Sequence, residues 1–347
     1  MTKIAAFGIG MRRKKNNLVL DVTFIHLGTD VECDISQTIG PSEGIYELSA
    51  SDLSKYKTIN DTVSALILVD QDQSVYADID IIAVRLDKLT DPVKSAEEAY
   101  LKLHLISHRL VKPHGVNLDG AFGQLTNVAW TSIGPVLLED VPRIRMQLLG
   151  SSTPLIVTHV DKFPYLVNYH IPSGVRIASG SQVRLGAYLG EGTTVMPAGY
   201  VNFNAGTLGN AMVEGRVSAG VVVGNGTDVG GGASIMGTLS GGNDLVISIG
   251  PECLLGANSG VGISLGNGCT VEAGLYITAG KKVTLVDHNN SPVDIDGNSV
   301  ASGQNIVKGI ELSGRNNLLF IQDSRTGEVI CKPNTVVIEL NEQLHQN

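Results

Sequence analysis

The sequence predicts a mainly β protein: a left-handed parallel β-helix of hexapeptide repeats, preceded by an α/β N-terminal domain and closed by a C-terminal β cap. Three observations predict it. Aliphatic residues recur every six positions, small or polar residues fill the positions between them, and glycine reaches 41 of 347 residues. A helix repeats its buried face about every 3.6 residues and a flat strand every 2 or so. A period of six therefore demands short strands that each bury one aliphatic side chain before the chain turns a corner. Three such hexapeptides close a triangular coil of about eighteen residues.

Ile171, Ile177, Val183, Leu189, Val195 and Val201 form the first run. Val217, Val223, Val229 and Ile235 form a second, Ile249, Leu255 and Val261 a third, and Leu265, Val271, Ile277 and Val283 a fourth. The phase slips by four residues between Val213 and Val217 and again between Val261 and Leu265, and it is lost across 236–248. We read these interruptions as loops or bulges that leave the prism, beginning with FNAGTLGNAMVEGR at 203–216, because extra residues on a rigid scaffold are favoured places for function. The domains predicted are 1–150, 165–286 and a cap segment at 287–347. A prism has flat faces to cover, commonly in a threefold homotrimer, which places active-site clefts between subunits.

The N-terminal domain reads as mixed. LVLDVTF (18–24), VSALILVD (63–70) and DIDIIAVRL (78–86) have the β-branched character of strands. Ser95 followed by Glu98 makes a capping box, and the apolar spacing after it predicts an amphipathic helix near 96–111, stopped by Pro113. His104 and His108 on that helix have no third ligand in any motif, so packing explains them better than zinc. Gly230-Gly231-Gly232 and Gly241-Gly242 precede no Lys-Ser/Thr, so they read as corners and not as phosphate cradles.

A net charge of −9 removes the drive toward nucleic acid or an anionic membrane. Cys33, Cys253, Cys269 and Cys331 are scattered without metal spacing, which predicts reduced, packed thiols and a cytoplasmic setting. The basic cluster near the N-terminus follows a short apolar run, the reverse of a signal peptide, and no window is apolar enough to span a membrane.

No histidine lies between 175 and 286, so proton transfer falls to carboxylates: Glu191, Asp228, Asp244, Glu252, Glu272 and Glu214. Glu214 stands in Met212-Val213-Glu214-Gly215-Arg216. Apolar neighbours favour its protonated form, and Arg216 either holds it ionised or binds an anionic substrate. Arg176, Arg184 and Arg216 are the only arginines of the repeat region and suit bidentate recognition of a dicarboxylate; Arg176 and Arg184 read equally as outward residues making interchain pairs. Lys281, Lys282, Lys308, Arg315 and Arg325 form a basic set suited to the phosphates of coenzyme A, or to a solvated rim.

Three segments, VDKFPYLVNYHIPSGVRIASGSQVRLGAYLGEGTTVM (160–196), VNFNAGTLGNAMVEGRVSAGVVVGNGTDVGGGASIMGTLSGG (201–242) and EAGLYITAG (272–280), closely resemble the tetrahydrodipicolinate N-succinyltransferases of the longer-chain branch. The likeness extends over most of 99–347. It implies succinyl transfer from succinyl-CoA to tetrahydrodipicolinate in diaminopimelate and lysine biosynthesis, by a homotrimer. Glu214 matches the family's catalytic carboxylate and Arg216 its donor-binding arginine. Gly231, Ser234, Ala257, Glu272, Ala273 and Gly280 match positions lining the coenzyme channel. Two positions depart from the pattern. Ser181 and Ala198 replace an acidic pair that binds magnesium in some relatives, so no metal is expected, and Ile321-Gln322-Asp323-Ser324 replaces a basic pair, which leaves the phosphates to Lys308, Lys281, Lys282 or Arg325. A thioester is already activated toward an amine, which favours Glu214 as a general base over a transient acyl anhydride. Backbone N–H groups at 230–232 are candidates for the oxyanion. The competing readings are a hexapeptide acyltransferase with another donor or acceptor, acetyl-CoA for example, and a non-catalytic hexapeptide scaffold.

Overall fold

The computed structural model describes residues 4–31, 39–49, 51–53, 66, 76–150, 154–238 and 246–335. The chain divides into two compact units, Met1–Pro164 and Tyr165–Asn347. Cys33, His345, Asp244 and Gly241-Gly242 lie outside the described residues.

The first unit is built on an antiparallel sheet of β1 (Ile4–Lys15), β2 (Leu18–Val31), β3 (Gly44–Glu47) and β4 (Asp78–Leu86), in the order β2-β1-β4-β3. Strand β4 matches its sequence prediction. Strand β2 runs seven residues beyond Phe24, because the N-terminal apolar run forms a strand of its own and pairs along it. The two-residue connection Asn16-Asn17, with φ of 52° and 63°, has the left-handed backbone whose twist suits a tight hairpin. Of 63–70 only Leu66 is described, and it is helical and buried against Ile4, Phe7, Ile9 and Ile81 instead of lying in a strand.

Helix α1 (Ala96–Ser107) begins at Ser95, whose hydroxyl accepts the Glu98 N–H at 3.2 Å. It stops four residues short of 111, well before Pro113: Arg109 turns left-handed at φ 61°, and the N–H groups of Arg109 and Leu110 bond back to Ile106 and Leu105. The helix is also not amphipathic, since every one of its residues is buried. Its polar members find partners in the interior. Glu97 accepts from Arg12 at 2.8 Å, and Lys102 donates to the carbonyls of Asp91 at 2.5 Å and Asn117 at 2.8 Å. His104 and His108 stack at 5.9 Å, with His104 edge-on to Phe24, which is packing. No helix among the described residues is long and apolar enough to cross a membrane.

The second unit is a three-faced prism of parallel ladders, the left-handed β-helix that the repeat predicts. The first face stacks strands at 176–177, 193–195, 211–213, 227–229, 254–255 and 270–271; the second stacks 200–201, 216–217, 234–235, 260–261 and 276–277; the third stacks 188–189, 206–207, 222–223 and 248–249. Inward residues such as Val195, Val201, Val213, Val229 and Ile235 are fully buried.

Register explains the phase slips. Ile177 pairs with Val195 and Val195 with Val213, eighteen residues apart. Val201 then pairs with Val217 and Val213 with Val229, sixteen apart. The slip at Val213 is thus a corner shortened by two residues, and 203–216 stays in the ladders instead of leaving the prism. Gly215 permits the tight corner: a Cβ there would sit 2.4 Å from the Ala233 carbonyl oxygen. The true extension lies at 236–248, across which Val223 pairs with Ile249 twenty-six residues on, and Thr238 bridges Val246.

Two members of the runs fall outside the ladders. Ile171 is 77% exposed, so the buried series starts later, and Val283 belongs to the cap. There Phe320 adds a parallel strand on Val271, Val329–Pro333 returns antiparallel to it, and Lys282–Leu285 and Ile306–Lys308 extend the sheet. This covers the ladder edge that the last coil would otherwise leave open. Inside the prism Cys253 and Cys269 are free thiols on neighbouring coils, and Cys331 is a third, in the cap. Hydrogen bonding to Cys269 and burial push the Cys253 thiol up, which keeps it protonated.

Candidate active site

The corner that follows the first face carries most of the predicted site. Ala178, Met196, Glu214, Gly230, Gly256 and Glu272 each donate a backbone N–H to the next coil at 2.8–3.0 Å, so these corners stack in one column. Glu214, Gly231, Ala257, Glu272 and Ala273 therefore share one edge of the prism, at a strand spacing of about 4.8 Å per coil.

Glu214 is half-buried. Among the described residues its carboxylate forms no ion pair and accepts no hydrogen bond, while its backbone is fixed on both sides: its N–H donates to Val229 at 2.8 Å and its carbonyl accepts from Gly232 at 3.0 Å. A Cβ on Gly231 would lie 3.5 Å from Glu214 Oε2, so glycine keeps the space beside the carboxylate open. The shortened corner puts Arg216 round the edge, on the second face. The guanidinium does not pair with Glu214; Nη2 donates instead to Ser234 Oγ at 2.5 Å, on the next coil. Farther along the same outward column Tyr276 lies over Gly260, where a Cβ would come within 2.1 Å of the ring. The sequence reading missed Tyr276, since only the register shows that it shares a column with Arg216 and Ser234.

Glu272 is partly committed elsewhere: its Oε2 accepts the Gln322 N–H of the cap at 2.6 Å. In the departing segment the Asp323 carboxylate is held below its usual range by the backbone N–H groups of Thr326 and Arg325, so it closes a turn. Gly280 lies at the end of the prism, with open space where a Cβ would be. Beside it Lys282 and Lys308 are direct cross-strand partners, and the Lys281 carbonyl accepts from Gly309 at 2.8 Å. Lys281 and Lys282 line a cavity of about 320 Å³ that also holds Glu328, and no ion pair ties any of the three lysines among the described residues. Arg315 is not part of this group: it donates to the Ile295 carbonyl at 3.1 Å beside a separate cavity of about 520 Å³.

Arg176 and Arg184 are not brought together. Arg176 lies on the first face in register with Thr194, whereas Arg184 enters the second face and donates to Asn202 Oδ1 at 3.3 Å. Among the described residues the Ser181 hydroxyl meets another hydroxyl, Ser179 Oγ at 3.0 Å.

Comparison with known proteins agrees with this architecture. Residues 246–279 match the family model of the hexapeptide repeat of succinyl-transferase, and 125–165 match the tetrahydrodipicolinate N-succinyltransferase middle model. A 2,3,4,5-tetrahydropyridine-2,6-dicarboxylate N-succinyltransferase of Vibrio cholerae is 56% identical over 257 residues, 74% of this chain and 72% of the relative. That of Pseudomonas paraeruginosa is 46% identical over 98% of this chain and 97% of its own. A solved Campylobacter jejuni structure, provisionally described as a 2,3,4,5-tetrahydropyridine-2-carboxylate N-succinyltransferase, superposes with a TM-score of 0.83 at 36% identity, covering 98% of this chain and 94% of that one. With one relative 46% identical over 98% of this chain and a solved structure superposing over the same share, the chain belongs to the 2,3,4,5-tetrahydropyridine-2,6-dicarboxylate N-succinyltransferase family.

Proposed function

We propose that the chain moves the succinyl group of succinyl-CoA to tetrahydrodipicolinate, giving N-succinyl-2-amino-6-oxopimelate and coenzyme A on the diaminopimelate route to lysine, with Glu214 as the catalytic carboxylate. One observation carries the assignment of Glu214: it is a half-buried carboxylate without a partner among the described residues, on a rigid corner with open space beside it. Water adds across the cyclic imine, and the resulting ring nitrogen attacks the thioester carbonyl while Glu214 takes its proton. The tetrahedral intermediate collapses by breaking the C–S bond, the proton passes to the departing thiolate, and the ring opens to the 6-oxo product. Arg216, steadied by Ser234, is suited to the donor's succinyl carboxylate. Gly231, Ala257 and Ala273 leave a shallow path for the pantetheine arm.

Lys281, Lys282 and Lys308 suit the coenzyme's phosphates. Like charges directly opposite on neighbouring strands repel, and a polyanion between them relieves that repulsion. The assembly we propose is a cytoplasmic homotrimer whose active sites lie between subunits, checked by mass from light scattering. The reaction is tested by release of free thiol from succinyl-CoA or acetyl-CoA with tetrahydrodipicolinate. Succinyl-selective release that needs the acceptor, and that fails in Glu214→Gln while the trimer and donor binding persist, supports the reading; turnover unchanged in that variant removes Glu214 from the chemistry.

A further inference from the structure

Beside the Glu214 column is a recess that the scheme above leaves unused. Arg176, Ile177, Ala178, Thr194, Val195 and Met196 line a cavity of about 310 Å³. Ala178 and Met196 are themselves corner residues of that column, and the Met196 N–H donates to the Val213 carbonyl at 2.9 Å, immediately before Glu214. The wall of the recess is therefore one strand spacing, about 4.8 Å, from the coil of the catalytic carboxylate.

Two consecutive threonines in its lining strand are treated differently. Thr193 points into the prism, where its hydroxyl bonds to the Gly190 carbonyl and to Thr207 Oγ1, each at 2.7 Å. Thr194 is 1% exposed, and its hydroxyl has no hydrogen-bond partner among the described residues. Buried hydroxyls are nearly always paired, so an orphan that lines a cavity beside an arginine is a donor held ready for something that enters. Arg176 is the register partner of Thr194. A guanidinium and a hydroxyl side by side fit the two oxygens of a carboxylate, one charge-assisted and one neutral.

We propose that Arg176 and Thr194 receive one carboxylate of the dicarboxylate acceptor, and that the Thr194 hydroxyl sets the acceptor's orientation and selectivity at this end. The inference rests on the reaction proposed above, and it leaves Arg216 for the acyl donor. A buried donor that its ligand must satisfy discriminates strongly against ligands that lack the acceptor group.

Thr194→Val tests it, because it removes the hydroxyl at nearly constant shape. The expected result is an acceptor KM raised about tenfold or more, with donor KM and Tm held. Calorimetric affinity for pyridine-2,6-dicarboxylate, a planar unreactive probe, should weaken in parallel, and Thr194→Ser should restore both. Arg176→Met should be more damaging to the same two quantities than Arg176→Lys. An unchanged acceptor KM and unchanged probe affinity in Thr194→Val would overturn the proposal, as would an equal loss in donor KM. If the parent protein turns over succinyl-CoA and binds the probe while Thr194→Val behaves identically, this inference alone fails; if the parent does neither, the proposed reaction fails with it.

Discussion

The edge of the prism that follows the first face and the edge that precedes it come from the same repeat and do different things. On the preceding edge, asparagine side chains satisfy the corners. Asn225 Oδ1 accepts the Asn210 N–H at 2.9 Å, and Asn316 Oδ1 accepts that of Asn267 at 2.8 Å. The backbone also links coil to coil there, from Glu252 to Asn225 and from Asn317 to Asn267. On the following edge the backbone stacks just as regularly, and one amide serves its first corners, where Gln182 Nε2 donates to the Gly199 carbonyl at 2.9 Å. Beyond them Gly230, Gly231, Gly256, Ala257 and Ala273 carry no amide, and Glu214 is left with its carboxylate unengaged among the described residues. A repeat thus makes a closed edge where side chains saturate the corner, and a reactive edge where they are withheld while the backbone stays rigid.

The comparison breaks first at Glu214. Glu214→Gln should lower kcat by about 10³-fold, with Tm and donor affinity unchanged, because no folded-state partner among the described residues depends on the carboxylate. A matching fall in Tm would mean that the reactive edge is also a structural one. Next in size is the corner itself. Gly215→Ala drives a Cβ to within 2.4 Å of a backbone carbonyl, which cannot yield cheaply. A destabilisation of about 2 to 3 kcal/mol is expected in denaturant unfolding, with loss of activity following loss of structure. On the closed edge Asn225→Ala should cost about 1 kcal/mol by removing the bond to the Asn210 N–H, which solvent then serves, while kcat of the folded fraction is kept.

Much of this was legible in the sequence because the prism obeys a periodicity. One buried aliphatic residue per six fixed the faces, and the slips at Val213 and Val261 were visible as numbers. Their meaning was not. A four-residue step reads equally as a bulge or as a shortened corner, and only the sixteen-residue pairing of Val213 with Val229 decides for the corner. Glu214 could be singled out because carboxylates are sparse and histidine is missing from the repeat. Its separation from Arg216 could not, since residues two apart in sequence point to different sides of an edge when a corner intervenes. Helix α1 misled for a different reason: Glu97, Glu98 and Lys102 look like a solvent face, but each is buried and bonded to a polar partner outside the helix. Periodicity reports which positions repeat; it does not report which polar groups have found partners inside.

The smallest effect sharpens the comparison most, because its sign is opposite. On the closed edge the left-handed corner position falls to glycine at Gly226 and Gly268, with φ of 74° and 64°, but to Glu252 between them, with φ of 56°. A side chain with a Cβ pays for that conformation through contact with its own carbonyl, whereas Asn317 at φ 55° in the same column is a residue type that tolerates it better. Glu252 lies two coils along the prism from Glu214 and on another edge, so no part of the proposed chemistry needs it. Glu252→Gly should therefore stabilise the protein by about 0.5 to 1 kcal/mol, the strain relieved less the extra chain entropy of glycine, seen as a higher midpoint in urea with kcat unchanged. A lower midpoint would show that the Glu252 side chain contributes more to this edge than its backbone costs, and that the closed edge, like the reactive one, carries a carboxylate for a purpose.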